Sequence, residues 1–338
     1  MSVKRLAVPA VLAAGFCAAA PALAQTTLTL SSWVPPQHLL TRAMVDWAKE
    51  IEKATNGRVK HNLVPKAVAS PPGTFDAVRD GLADVSFTVD GYTPGRFVLT
   101  RVAEFPQLGD SSKVVSVGYQ RIHERHLAKF DEHKGTRVLA VFTHGPGQIY
   151  NTKRPIKAVA DLEGLKIRVG GGMVNDVAKA LGANALLKPA PESYEIISTG
   201  VADGLFFPAE SIVSFKLVDL IKHVTLVPGG LYNVSFAFMM NPATYNKLSA
   251  DDKKAVDAFS GERLARHLAK YWDEGDRVGV EAMTKANIPT IKADAAFLAA
   301  LQAKVKPLED AWFKQAAEKG LDGPKALAEL RAEIKKVQ

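Results

Sequence analysis

Leu165-Lys-Ile-Arg-Val169, then Gly170-Gly-Gly172 and Met173, run in succession through the middle of a 338-residue chain. The first five residues read as a strand, the glycines interrupt it, and a helix opens near Met173. In α/β sheets, ligands sit beyond the carboxyl ends of strands, near helix N-termini. Arg168 stands at that end. A helix start offers free backbone N–H groups and a partial positive charge. Glycines, with Gly171 at their centre, let the backbone approach an anion closely. Arg168 adds a planar two-pronged donor that matches a carboxylate. An anion site is therefore expected here. The same spacing also fits a surface arginine paired with an acid beside a glycine turn.

Strands and helices alternate on both sides of this stretch. Residues 27–32 form a β-rich run ending at Trp33-Val-Pro-Pro36, and Leu40, Met44, Trp47 and Ile51 recur as one apolar helix stripe. Asn56-Gly57 stops that helix, and 58–64 reads as a strand. Phe75, Val78 and Leu82 mark a second helix, closed at Gly81, and 84–89 the next strand. A helix around 114–130 leads to Val138-Leu-Ala-Val-Phe142, an apolar run typical of a strand buried on both faces. His144-Gly-Pro-Gly147 is expected to cross into a second domain, followed by a strand over 148–151. A helix over 191–199 and a strand over 234–240 come later. Ser249-Ala-Asp-Asp252 resembles a capping box that opens a long helical stretch toward Asn287, and helices follow to the end. Phe206-Phe207 fits core or pocket wall, with spacing favouring core. This order predicts α/β sheets leaning toward parallel.

The chain opens with a basic pair, Lys4 and Arg5, an uncharged run over 6–23, and Ala22-Leu23-Ala24 as a small-x-small cleavage site. That is the layout of a secretory signal peptide over 1–24. Its removal would take away Cys17, the one cysteine, and lower the formal net charge from +8 to +6. The charge is spread along the chain without a basic arm, which argues against nucleic-acid binding. No G-x-S-x-G, S-x-x-K or G-x-G-x-x-G occurs. His123-Glu-Arg-His126 is not a metalloprotease motif and reads as a solvated helix face, so neither cofactor nor metal is expected.

Asp161-Leu-Glu-Gly-Leu-Lys-Ile-Arg168-Val, Leu181-Gly-Ala183, Glu192-Ser-Tyr194 and Thr199-Gly-Val-Ala-Asp-Gly204 with Pro208 resemble the signature of the DctP-type solute receptors. These are the periplasmic subunits of tripartite ATP-independent periplasmic (TRAP) transporters. Trp47-Ala-Lys-Glu-Ile, Asn56-Gly-Arg58, Asp80-Gly-Leu-Ala-Asp84 and Lys153-Arg-Pro-Ile156 are similar to further family positions. The resemblance implies a two-lobed periplasmic binding protein of type II-like α/β fold, with crossing strands and a long inter-domain helix, closing on an organic acid. It places residues 25–146 and about 238–275 in lobe I, and 147–237 and about 276–338 in lobe II. It also implies a monomer in the periplasm, not an enzyme, served by the small and large membrane subunits of a TRAP transporter. The family's carboxylate-clamping role falls on Arg168.

Departures from the family pattern bear on the ligand. Gln148 stands where many members carry a second arginine, Phe207 where an asparagine is common, and Trp33 where an early polar residue is found. With Phe87 and Tyr232 also placed near the pocket by the resemblance, its wall is expected to be apolar or aromatic. Gln148, Tyr232 and Asn233 remain to satisfy one further oxygen. A monocarboxylate with an apolar or aromatic body follows. A periplasmic hydrolase or isomerase acting on a carboxylate, or the receptor of an ATP-driven importer, are the alternatives.

Overall fold

The computed structural model describes residues 25–338; the expected signal peptide over 1–24 lies outside the described residues. The elements run β1 (Thr26–Leu30), α1 (Leu39–Ala54), β2 (Val59–Leu63), α2 (Thr74–Arg79), β3 (Val85–Val89), α3 (Ser112–Ile122) and β4 (Arg137–Thr143). The middle of the chain gives β5 (Gln148–Asn151), β6 (Lys166–Val169), α4 (Met173–Ala180), β7 (Asn184–Leu187), α5 (Ser193–Ser198), β8 (Gly204–Phe207), α6 (Ala209–Ser214) and β9 (His223–Leu226). The last part is β10 (Ser235–Met240), α7 (Pro242–Lys247), α8 (Ala250–Ala258), α9 (Gly261–Lys285), β11 (Thr290–Lys292), α10 (Ala295–Glu318) and α11 (Gly323–Val337).

Two sheets organise these elements, one per lobe. The first has the order β2-β1-β3-β10-β4 and the second β11-β9-β5-β8-β6-β7. Each is parallel except where a strand arrives from the other lobe. β10 is antiparallel to β3 and β4, and β5 is antiparallel to β8 and β9. The two crossing segments, 144–147 and 227–234, run side by side: the Gly147 N–H donates to the Tyr232 carbonyl (2.9 Å) and the Leu231 N–H to the Gly147 carbonyl (2.8 Å).

The helix stripe of α1 is legible in its burial. Leu40, Met44, Trp47 and Ile51 are all buried, each contributing about 1.5–3 kcal/mol of transfer free energy. Three expectations need correction. The helix α2 ends at Arg79, and Gly81 turns the chain at φ +80° with the Leu82 N–H on the Ala77 carbonyl. Leu82 is thereby carried off the stripe and is 63% exposed. The long stretch after Ser249 divides into α8 and α9 at Phe259-Ser260, where Gly261 has φ +61°. The Trp47 indole N–H takes the Phe259 carbonyl at that break (3.0 Å). At the C-terminus, the chain does not stay in lobe II. Trp312 of α10 donates to the Val98 carbonyl of lobe I (2.8 Å), and α11 packs on α3.

Candidate functional site

The carboxyl ends of β1, β3, β6 and β8 face one another between the lobes, and the crossing segments and α9 close the back. A small, largely enclosed cavity lies there. Trp33, Tyr92, Phe207, Phe215, Tyr232, Phe236 and Trp272 supply its aromatic wall, with His38, His144, Arg168 and Ser211 as polar members.

Arg168 is the penultimate residue of β6 and is 2% exposed. Its Nε donates to the Lys188 carbonyl (2.9 Å), which fixes the guanidinium plane, and the guanidinium carbon lies 4.3 Å from the Phe207 ring centroid. No carboxylate pairs with it among the described residues. The neighbouring Glu192 is taken by Lys188 (2.9 Å). A buried, uncompensated cation is costly unless an anion meets it.

Phe206 and Phe207 are successive residues of β8, so their side chains leave opposite faces. Phe207 stacks on Phe215 (5.7 Å between centroids) and on Arg168, forming wall; Phe206 is core. Trp33 donates from its indole nitrogen to the Phe87 carbonyl (3.0 Å) and packs edge-on to Tyr92 (5.7 Å). Tyr232 donates its hydroxyl to the Phe206 carbonyl (2.8 Å). Burial pushes that phenol well above its usual range.

Four expected site residues stand behind the wall rather than on it. Phe87 is fully buried and supports Trp33 from below (5.3 Å). Gln148 closes a two-way pairing with the Val227 backbone, its oxygen accepting at 2.6 Å and its nitrogen donating at 3.4 Å. The Asn233 amide faces the Gly145 and His144 carbonyls, and with its nitrogen assigned to that side by its surroundings it donates to both (3.1 Å each). Both amides thus staple the crossing segments. Gly171, at φ +85°, lies against Gly91 of lobe I, where an added Cβ would meet the Gly91 carbonyl oxygen at 2.2 Å; Gly170 lines the cavity instead.

The N-terminus of α4 is not open to a ligand. Glu104, reaching across from lobe I, accepts the Met173 N–H (2.7 Å) and the Ser235 N–H and hydroxyl (3.1 and 2.7 Å). Burial pushes its carboxyl upward. The anion expected at the helix start is thus the protein's own. Arg101 pairs with Asp176 of α4, and the Ala190 N–H donates to the Tyr92 hydroxyl (2.9 Å). These contacts join the lobes around the cavity.

Sequence reasoning missed His38, His144 and Trp272. His38 caps α1 by accepting the Leu40 N–H (3.2 Å), and its Nε2 lies 3.4 Å from Glu210. Burial lowers its pKa against the pull of Glu210. His144 is 4% exposed, and burial holds it down to about 4. Far from the cavity, His126 bonds Glu329 of α11 (2.8 Å). Among the described residues no three His, Cys, Asp or Glu side chains gather as a metal site, and no helix is long and apolar enough to cross a membrane.

The family model of the bacterial extracellular solute-binding proteins, family 7 (DctP), matches residues 30–316. A TRAP periplasmic solute-binding protein from Bordetella bronchiseptica, solved with bound (R)- and (S)-mandelate, superposes with a TM-score of 0.90 at 49% identity, covering 93% of this chain and 100% of that one. A TRAP solute-binding protein from Rhodoferax ferrireducens, in complex with copurified benzoate, gives 0.86 at 29% identity over 93% and 98%. Among curated relatives, a protein from Comamonas testosteroni described as the outer membrane transporter protein TsaT is 32% identical over 325 residues, 95% of this chain and 96% of its own length.

Proposed function

The chain belongs to the bacterial extracellular solute-binding proteins of family 7, and on that premise we propose that its ligand is a monocarboxylate with an aromatic body. As a TRAP-type receptor it binds a carboxylate in the periplasm and serves the membrane subunits of the transporter. The observation that carries the ligand assignment is Arg168, a buried guanidinium without an acidic partner on a mostly apolar and aromatic wall. Its two terminal nitrogens offer the paired donors a carboxylate accepts.

Burying a phenyl ring against this wall contributes about 25 cal/mol for each Å² removed from water. A second carboxylate or a row of hydroxyls would lose hydration at a cost on the order of kilocalories per group, since Arg168 is the one arginine or lysine on the lining. Mandelate and benzoate in the similar receptors fit the same preference. The protein acts as a monomeric receptor and releases its ligand unchanged. In support, Ser211 donates to Glu210 (3.0 Å), Tyr232 donates to a backbone carbonyl and Tyr92 accepts the Ala190 N–H (2.9 Å), so none of the three lining hydroxyls is bonded to a histidine as an activated nucleophile would be.

A thermal-shift screen followed by calorimetry tests this, comparing benzoate and phenylacetate with succinate and a hexonic acid. Aromatic monocarboxylates should bind at micromolar concentration and be recovered with unchanged mass. Tight binding of succinate or the sugar acid, with none of the aromatic acids, overturns the assignment.

A further inference from the structure

Two residues that line the cavity each carry a buried polar atom with no hydrogen-bond partner. His144 directs Nδ1 at the Gly145 carbonyl, and a carbonyl only accepts, so the proton sits on Nδ1. In the neutral ring Nε2 is then a lone-pair acceptor. It is buried and makes no hydrogen bond. Trp272, on α9 and 3% exposed, lines the same cavity. Its indole N–H, a donor only, is likewise buried without a partner. The two rings lie 5.8 Å apart between centroids, inclined at 61°.

We infer that His144 and Trp272 form a hydroxyl-binding subsite, so that the preferred ligand is a hydroxy acid and not its unsubstituted parent; this rests on the carboxylate-receptor reading above. One unpaired acceptor and one unpaired donor on one wall call for a group that does both. A hydroxyl is the smallest that does. A keto oxygen serves Trp272 and leaves His144 unmet, an ammonium serves His144 but stands in the field of Arg168, and an apolar ring serves neither. Buried polar groups left unpaired penalise the wrong ligand, which is how a site rejects an analogue lacking one hydroxyl. Of the other polar candidates on the wall, Trp33 bonds the Phe87 carbonyl and Tyr232 the Phe206 carbonyl, while the Tyr92 hydroxyl accepts the Ala190 N–H.

The test is calorimetry on the mature protein with matched pairs, mandelate against phenylacetate and 2-, 3- and 4-hydroxybenzoate against benzoate. At least one hydroxylated acid should bind about tenfold or more tighter than its parent. In His144→Phe and in Trp272→Phe, each checked for folding by circular dichroism, that ratio should fall toward one, whatever the parent's own affinity. His144→Gln, which keeps an acceptor, should restore part of it. Equal affinity within every pair overturns the subsite, and this is also what a resident water in the hydroxyl's place would give. A ratio that survives in both phenylalanine variants overturns it too. Absence of binding by every acid in the series would instead overturn the carboxylate-receptor reading, and the subsite with it.

Discussion

On the proposed reading a single guanidinium holds the ligand's charge, so Arg168 is where a substitution should separate binding from folding. Removing one partner of a desolvated charge pair costs about 2–5 kcal/mol, which is roughly thirtyfold to several thousandfold in affinity. Arg168→Ala is expected to fold, because it also removes an uncompensated buried charge, and to show no calorimetric binding of benzoate-type acids at micromolar concentration. Arg168→Lys should bind poorly as well, since an ammonium cannot make the two-pronged contact; native affinity in either variant would refute the assignment. His144 gives a second residue-level expectation, in pH. Its pKa falls from 6.5 to about 4 on folding, so between these values the unfolded chain binds more protons than the native one, and stability drops as pH falls. Buried Glu104 and Asp276, whose carboxyls are raised, act in the opposite sense, because burial penalises their charge as pH rises. The difference between native protein and His144→Phe isolates the histidine: the native melting temperature minus that of the variant should fall steadily as pH is lowered from 7 toward 4. A constant difference across that range would show that His144 does not titrate there.

At the level of elements, the crossing segments depend on close approach. An added Cβ at Gly147 would lie 2.1 Å from Cε1 of Tyr232, and Tyr232 is held by its own hydrogen bond to Phe206. Gly147→Ala should therefore cost about 1–3 kcal/mol through overpacking and lower Tm by several degrees in calorimetric scans, with ligand affinity reduced because Tyr232 is wall. An unchanged Tm would mean that the two segments can part freely. Much of the architecture was legible in local pattern. The stripe of α1, the apolar run of β4 and the strand-glycine-helix order around Arg168 each announce themselves within a few residues. What was not legible lay in short or distant features. β8 is four buried residues, Gly-Leu-Phe-Phe, with no alternation to mark it, and the break between α8 and α9 turns on one glycine conformation. Gln148 and Asn233 have the chemistry of ligand groups, but the backbone of the paired crossing segments claims them. His144 and Trp272 meet only because α9 passes behind the crossing, which no spacing in the sequence reveals.

Taken as a whole molecule, the receptor is two lobes whose contact surfaces meet around the cavity, and Glu104 is the contact that bears most directly on closure. It belongs to lobe I, is anchored there by Ser235, and caps the first N–H of α4 in lobe II. Gly172 leaves no room for a side chain between them, since a Cβ there would lie 2.5 Å from the Glu104 carboxylate oxygen. A helix start and a carboxylate attract each other, and opening the lobes would return both to water. A ligand that bridges the lobes shifts the population toward the closed form only by its differential affinity for that form. If Glu104 already contributes to closing, its loss lowers apparent affinity without touching the ligand. Glu104→Ala removes hydrogen bonds to a charged acceptor, each worth about 1.5–3 kcal/mol, so apparent affinity should fall by roughly tenfold to a hundredfold. Small-angle scattering should show compaction of the native protein on adding ligand, and a larger radius for unliganded Glu104→Ala than for the unliganded native protein. Arg168→Ala serves as the contrast, because it should lose binding with the unliganded radius unchanged. Equal radii for native and Glu104→Ala proteins, with and without ligand, would show that this carboxylate stabilises lobe I alone and has no part in closure.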